Sequence, residues 1–218
     1  MSEDNTSFMI YKNIIRLCEY RGGIIKTKIN ADEHLRQMET DHYVIIHAER
    51  GVSNIRESSH IAVAQFHKEP TIEKKLDTFK RFLDKLIRAQ PDDMIEYNII
   101  LVTSSTISGN IQNIIDATNI SHVAKKGKIF VEHVLASKLS IIVPEHVAVP
   151  KHEIVPSNEA EKIFSELHIS RANIPKLITS GSNADPVAIW LGFRAGMLIK
   201  IRRPAETSGY MVFYRLCV

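Results

Sequence analysis

The sequence predicts an α/β protein in two parts, an N-terminal α/β domain over residues 1–142 and a small C-terminal α+β domain over residues 143–218. Three observations predict it. Helix-like and strand-like patterns alternate from Tyr43 onward, which implies an α/β sheet. The run Tyr97–Val102 is nearly continuous in apolar residues, as in a strand buried on both faces. Pro144, Pro150 and Pro156 then recur through thirteen residues, a spacing that blocks regular structure and marks a domain junction.

The elements follow in order. Met9, Ile10, Ile14, Leu17 and Cys18 recur at helical spacing, so a helix spans Thr6–Arg21 and the pair Gly22-Gly23 stops it. Asn30 caps a short second helix with Asp32 and Glu33 in its first turn and Leu35 and Met38 on its apolar face. Tyr43–Ala48 and His60–Phe66 read as strands, and the polar stretch between them makes a hairpin the economical connection. Thr71 can cap a helix running to Ala89, with Ile72, Leu76, Phe79, Phe82, Leu83 and Leu86 inward and a lysine- and arginine-rich outer face. After Tyr97–Val102, a Ser/Thr/Gly loop over Thr103–Asn110 leads into a helix bearing Ile111, Ile114 and Ile115, and Phe130–Val134 and Leu139–Val143 read as further strands. Beyond the prolines, Ser157 caps a helix through Leu167, and Asp185-Pro186 opens another that Gly192 ends. Met197–Arg202 and Tyr210–Leu216 are the last strands.

Composition narrows the function classes. The chain has 218 residues, 44% hydrophobic and 24% charged, which excludes disordered, collagenous and mini-protein classes. At this length roughly 70% of the unfolded surface is buried, so no metal or disulfide staple is required. Lys plus Arg is 28 against 25 for Asp plus Glu, a net charge of +3 that permits contact with polyanions without demanding it. Cys18 and Cys217 are the two cysteines, too few for a disulfide framework or a cysteine zinc site, so a reducing compartment is expected. No signal-like apolar segment and no window of 18 apolar residues occurs, so an intracellular, soluble chain without a membrane partner is expected.

Motifs for independent chemistry are missing. Neither GxxxxGK[ST] nor GxGxxG is present, so no glycine-rich loop wraps a phosphate by those routes. The ten histidines show no HExxH or HxH spacing. Asp92, Asp93 and Glu96 approach a nuclease pattern, but Asn98 stands where a lysine is needed, and Pro91-Asp92-Asp93 reads most simply as a helix terminator. The serine-rich segments Thr103–Ser108 and Thr179–Ser182 lack GxSxG. No catalytic residue, metal or cofactor is expected.

The C-terminal third carries a specific set of peptides: Val143-Pro144-Glu145-His146, Pro175, Asp185-Pro186-Val187-Ala188, Leu191-Gly192, Gly196, Lys200-Ile201, Arg203-Pro204, Glu206-Thr207-Ser208-Gly209 and Tyr214-Arg215. This set resembles the fifth common subunit of the nuclear RNA polymerases and its archaeal counterpart, from Val143 to the end of the chain. Upstream, the order of elements is similar to the eukaryotic jaw domain of that family, with matches at Tyr20-Arg21-Gly22 and in the Val102–Asn110 turn. Lys138-Leu139-Ser140-Ile141-Ile142 replaces the family's histidine-rich approach to the Val-Pro pair, the Ile178–Ala184 loop is longer, and Tyr210 stands where a basic residue is common. Such departures suit a divergent lineage, a large DNA virus with its own polymerase among them.

The resemblance implies a non-catalytic subunit of a multisubunit DNA-directed RNA polymerase. Its C-terminal assembly domain would dock on the largest subunit through Pro144, His146, Asp185, Pro186, Arg202, Arg203, Pro204, Glu206, Thr207, Ser208, Gly209, Tyr214 and Arg215. Its N-terminal domain would form part of a jaw beside downstream duplex DNA. A sliding enzyme needs contacts to phosphates rather than to base edges. Thr106, Ser108, Gly109 and Asn110 would face the DNA, with the cluster Lys125, Lys126 and Lys128 as a second contact. A cellular chain would be nuclear, and a viral one would reside in host cytoplasm or virion. The alternative is a free-standing, sequence-independent DNA-binding or repair module that uses the basic helix Thr71–Ala89.

Overall fold

The computed structural model describes residues 3–25, 28–50, 59–66, 76–88, 96–123, 128–181, 183–205 and 209–218. Its contacts divide the chain into two units, Met1–Ile141 and Ile142–Val218. The fold is α/β, with a smaller α+β unit at the C-terminus.

In the first unit, α1 (Glu3–Tyr20) buries Ile10, Ile14, Leu17 and Cys18 along one stripe. The two glycines after it act differently. Gly22 ends the helix at φ 79°, whereas Gly23 is needed for space: a Cβ there would stand 2.9 Å from the Ala48 Cβ and 3.1 Å from the Cys18 carbonyl. Asn30 caps α2 (Ala31–Asp41) by accepting from the Glu33 amide at 2.9 Å. The buried face of α2 carries His34 and Met38, and His34 packs against Phe8 and Tyr11 with a ring nitrogen 3.3 Å from Gln65 Oε1.

Among the described residues, five strands pair in the order β1 (Ile24–Ile25), β2 (Tyr43–Arg50), β3 (Ser59–Phe66), β4 (Glu96–Thr103) and β5 (Lys128–Leu135). β2 and β3 form the expected antiparallel pair, and β3, β4 and β5 run parallel. Helices α3 (Leu76–Arg88) and α4 (Gly109–Val123) cover one face. There Phe79, Leu83 and Leu86 meet Ala62, Ala64, Ile99, Leu101, Ile111 and Ile115. Each large buried side chain in this cluster contributes about 2 kcal/mol. By strand alternation Ile61, Val63, Ile100 and Val102 point to the opposite face and are fully buried there, which explains the unbroken apolar run of β4. The expected helix start at Thr71 and the acidic group Asp92-Asp93 lie outside the described residues.

The edge of β5 is occupied by a side chain. Asn119 of α4 donates to the Val131 carbonyl at 2.9 Å and accepts from the Val131 amide at 2.7 Å, as a neighbouring strand would. Arg21 enters the interior at the end of α1 and forks onto Glu132 of β5. The expected strand at Leu139–Val143 is absent. Ala136–Leu139 forms a 3₁₀ turn instead, because Leu139 is buried and its carbonyl receives the Asn13 amide of α1 at 2.6 Å.

In the second unit, four described strands pair in the order β6 (Lys151–Val155), β8 (Leu198–Ala205), β9 (Gly209–Cys217) and β7 (Lys176–Leu177). The prolines do not block regular structure as expected, since β6 fits between Pro150 and Pro156 and leaves both rings outside the ladder. The helix expected to be capped by Ser157 begins at Ser157 itself, with Pro156 at the cap position; this is α5 (Ser157–Glu166). It packs on one face of the sheet through Ala160 and Phe164 against Val155, Leu198 and Leu216. The other face carries α6 (Pro186–Leu191), whose Val187 and Ala188 meet Leu177, Ile199, Ile201 and Cys217.

Candidate functional site

The predicted docking residues fall into two groups. The first surrounds α6. Asp185 Oδ1 accepts from the Val187 amide at 2.8 Å, Pro186 occupies the first helical position, and Gly192 closes the helix at φ 68°. The approach to α6 is tied down as well, since the Asp185 amide donates to the Ile178 carbonyl at 2.8 Å and Thr179 donates to the Val218 carbonyl. Pro144 lies in a 3₁₀ turn, Val143–Glu145, that packs against α6, and exposed His146 accepts the Ala148 amide at 3.2 Å. Asp185 and His146 therefore have local structural partners of their own.

The second group lies on the hairpin of β8 and β9. Arg202, Arg203 and Pro204 are exposed, as are Gly209 and Arg215, while Tyr214 is half-buried. Glu206, Thr207 and Ser208 lie outside the described residues. The ladder pairs Arg202 with Val212, Arg203 with Met211 and Pro204 with Tyr210. β6 ends opposite Arg202, so Pro204 lies past its reach and its missing amide breaks no β6–β8 bond. Arg202 Nε stands 3.5 Å from Glu153 of β6, and the Arg203 guanidinium sits over the Phe213 ring at 5.9 Å. Glu153 also pairs with Lys151 at 2.8 Å; that bond first, then the nearby charges of Arg202, Lys151 and Lys200, holds its carboxyl below the usual range.

Sequence reading missed the apolar part of this hairpin. Tyr210, Met211, Val212 and Phe213 are 61%, 51%, 38% and 40% exposed, in a segment the sequence marks only as a strand. They project beyond both helical layers, and the one local sign is Pro204, which suits only a ladder with an open edge.

In the first unit the predicted phosphate-facing turn connects the carboxyl end of β4 to α4, on the side of a parallel sheet where crevices form. Thr103 Oγ1 donates to the Ser105 carbonyl at 2.6 Å and also lies 2.6 Å from His133 Nε2 of β5. A hydroxyl has one hydrogen, so His133 Nε2 carries its own and donates it to Thr103. This chain of bonds sets the direction of the turn. Thr106, Ser108, Gly109 and Asn110 are exposed, Ile107 packs on the core, and the Ser108 carbonyl receives the first α4 bond from Gln112 at 3.0 Å. Lys125 and Lys126 lie outside the described residues.

Burial pushes the Cys18 thiol up to about 12 and the Cys217 thiol up to about 11, so neither is a ready nucleophile. Among the described residues no group of three or more His, Cys, Asp or Glu could hold a metal ion, and no helix is long and apolar enough to cross a membrane.

Residues 141–217 match the family model described as RNA polymerase Rpb5, C-terminal domain. The chain is 33% identical over 91 residues to a protein of Caenorhabditis briggsae named DNA-directed RNA polymerases I, II, and III subunit RPABC1, a match covering 42% of this chain and 41% of that one. A Dictyostelium discoideum protein of the same name is 30% identical over 99 residues, covering 45% of this chain and 48% of that one. A Thermococcus kodakarensis protein named DNA-directed RNA polymerase subunit Rpo5 is 33% identical over 84 residues, which is 38% of this chain and 98% of that one. The chain thus spans less than half the length of the nematode and slime-mould relatives and nearly all of the archaeal one.

Proposed function

The chain belongs to the RNA polymerase Rpb5 family, and from that premise we propose that it is a non-catalytic subunit of a multisubunit DNA-directed RNA polymerase. The C-terminal unit docks on the largest subunit, and the N-terminal unit forms part of the jaw beside downstream duplex DNA. One observation carries the first half. The archaeal relative is covered over 98% of its length, and the family model matches residues 141–217, nearly the whole of the unit Ile142–Val218. This coverage supports a reading in which residues 143–218 act as the assembly domain with residues 1–142 as an addition to it. Localisation follows the polymerase: the nucleus for a cellular chain, the host cytoplasm or virion for a viral one.

For the N-terminal unit the support is the exposed turn Thr106–Asn110 ahead of α4. The first amides of a fifteen-residue helix lack intrahelical acceptors, and small side chains at Ser108 and Gly109 let a phosphate approach them. Such a contact holds the backbone and ignores sequence.

The test is a pull-down from the native source comparing residues 1–142 with residues 143–218. The second fragment is expected to recover the largest polymerase subunit and the first to fail. Incorporation of the first fragment alone would reverse the division of labour. Recovery of only DNA or self by the full chain would favour the free-standing DNA-binding module, for which the exposed Lys80, Arg81, Lys85 and Arg88 of α3 are the supporting observation.

A further inference from the structure

Both faces and one edge of the β8–β9 hairpin extend past the C-terminal unit's own core. Nearer its base, Ile199, Ile201 and Cys217 are covered by α6, and Leu198 and Leu216 by α5. Towards the tip, Tyr210 to Phe213 are exposed on alternate faces.

The edge is open as well. β7 pairs with β9 only at Leu216 and Cys217, through the Leu216 amide to the Pro175 carbonyl and the Val218 amide to the Leu177 carbonyl. The Cys217 amide and carbonyl instead point to the β8 side, bonding Met197 and Gly196. Alternation then fixes the rest. Met211, Phe213 and Arg215 bond β8, whereas Tyr210, Val212 and Tyr214 present their amides and carbonyls to the side that β7 leaves uncovered. Among the described residues no strand pairs with this stretch, which is about 20 Å long.

Among the described residues of the two strands the charge is one-sided. Lys200, Arg202, Arg203 and Arg215 lie along the hairpin, and Glu153 beside it is already held by Lys151 and Arg202. A second copy paired edge to edge would bring the same basic hairpin and, among the described residues of β9, no carboxylate to offset it, so self-pairing has no charge complementarity. The fitting occupant is an extended segment with apolar side chains and carboxylates between or beside them.

We propose that an extended, acidic segment of the largest polymerase subunit adds as a strand to the free edge of β9 from Gly209 to Arg215. This rests on the docking role given above and specifies its geometry.

The experiment uses the full chain co-expressed with the largest subunit from the same source. Amide exchange is read in the free and assembled forms, beside the variants Val212→Pro and Val212→Thr. The Val212 amide is not used by β8, so proline there removes an outward donor while sparing the β8–β9 ladder; threonine keeps the donor. Assembly is expected to slow exchange at Tyr210, Val212 and Tyr214 at least tenfold with little change at Met211 and Phe213. Val212→Pro is expected to lower incorporation at least tenfold and Val212→Thr to leave it near wild type. Emission from Trp190, the single tryptophan and fully buried, verifies that each variant is folded. Should Val212→Pro misfold, the exchange pattern of the unaltered chain decides by itself. Incorporation with unchanged exchange at the three amides would overturn strand addition and leave docking standing, whereas no incorporation at all would overturn both. Protection of the same amides in a dimer of the free chain would assign the edge to a second copy and also overturn the proposal.

Discussion

Removal of Glu132 should unsettle the N-terminal unit more than removal of its partner Arg21. The Arg21 side chain is 6% exposed and that of Glu132 is 23% exposed, and the guanidinium forks onto the carboxylate across 111 residues of sequence. Breaking a fully buried pair costs about 3–5 kcal/mol, because the remaining charge stays desolvated. Partial access of water at Glu132 reduces this, so Glu132→Ala should cost about 2–3 kcal/mol. Arg21→Met keeps the aliphatic packing and leaves a carboxylate that water can reach, for a loss of about 1 kcal/mol. Urea denaturation followed by far-UV dichroism, with amide exchange in α1 and β5 to localise the effect, measures both. In thermal melts Glu132→Ala should lower Tm by roughly 5–10 °C. Equal losses, or a larger loss for Arg21→Met, would refute the asymmetry of burial on which the reasoning rests.

Four other outcomes follow. Asp185→Ala should cost about 1 kcal/mol by removing the cap of α6, while Asp185→Asn keeps the cap; incorporation of Asp185→Asn at wild-type level would identify Asp185 as a structural rather than a charged contact residue. Gly192→Ala places a side chain at φ 68° and should destabilise the C-terminal unit by about 1–2 kcal/mol, read as the urea midpoint of Trp190 emission. His133→Leu removes the donor to Thr103, so resonance shifts should concentrate at Thr103–Ser108, and shifts confined to β5 would contradict the tautomer assigned to His133. Cys18 is raised from the usual 9.0 to about 12 in the folded chain, so the native state holds its proton where the unfolded one releases it; stability from this burial is complete below pH 9 and declines as pH rises towards 12, and thiol alkylation at pH 8 should proceed only after denaturation.

Features decided within a few residues were legible in the sequence. Asp185, Pro186 and Gly192 bracket α6 because capping and left-handed geometry are local demands. The β2–β3 pair and the buried β4 follow from alternation and its absence. Features decided at long range were not. Leu139–Val143 has strand composition, yet Leu139 is claimed by α1 from more than a hundred residues away. β9 has the composition of an interior strand, but its exposure depends on where α5 and α6 stop, which no pattern within β9 encodes. The residues expected to dock were named through family resemblance, and the cap at Asp185 was legible locally, whereas the bond from the Ala148 amide to His146 emerges only from geometry.

A helix on each side of the C-terminal sheet gives successive positions of β8 different masters. Leu198 seats α5 through Ala160 and Phe164, and its neighbour Ile199 seats α6 through Val187 and Ala188. Substitutions scanned along this strand should therefore yield two interleaved records, every other residue loosening one helix while the second stays clamped.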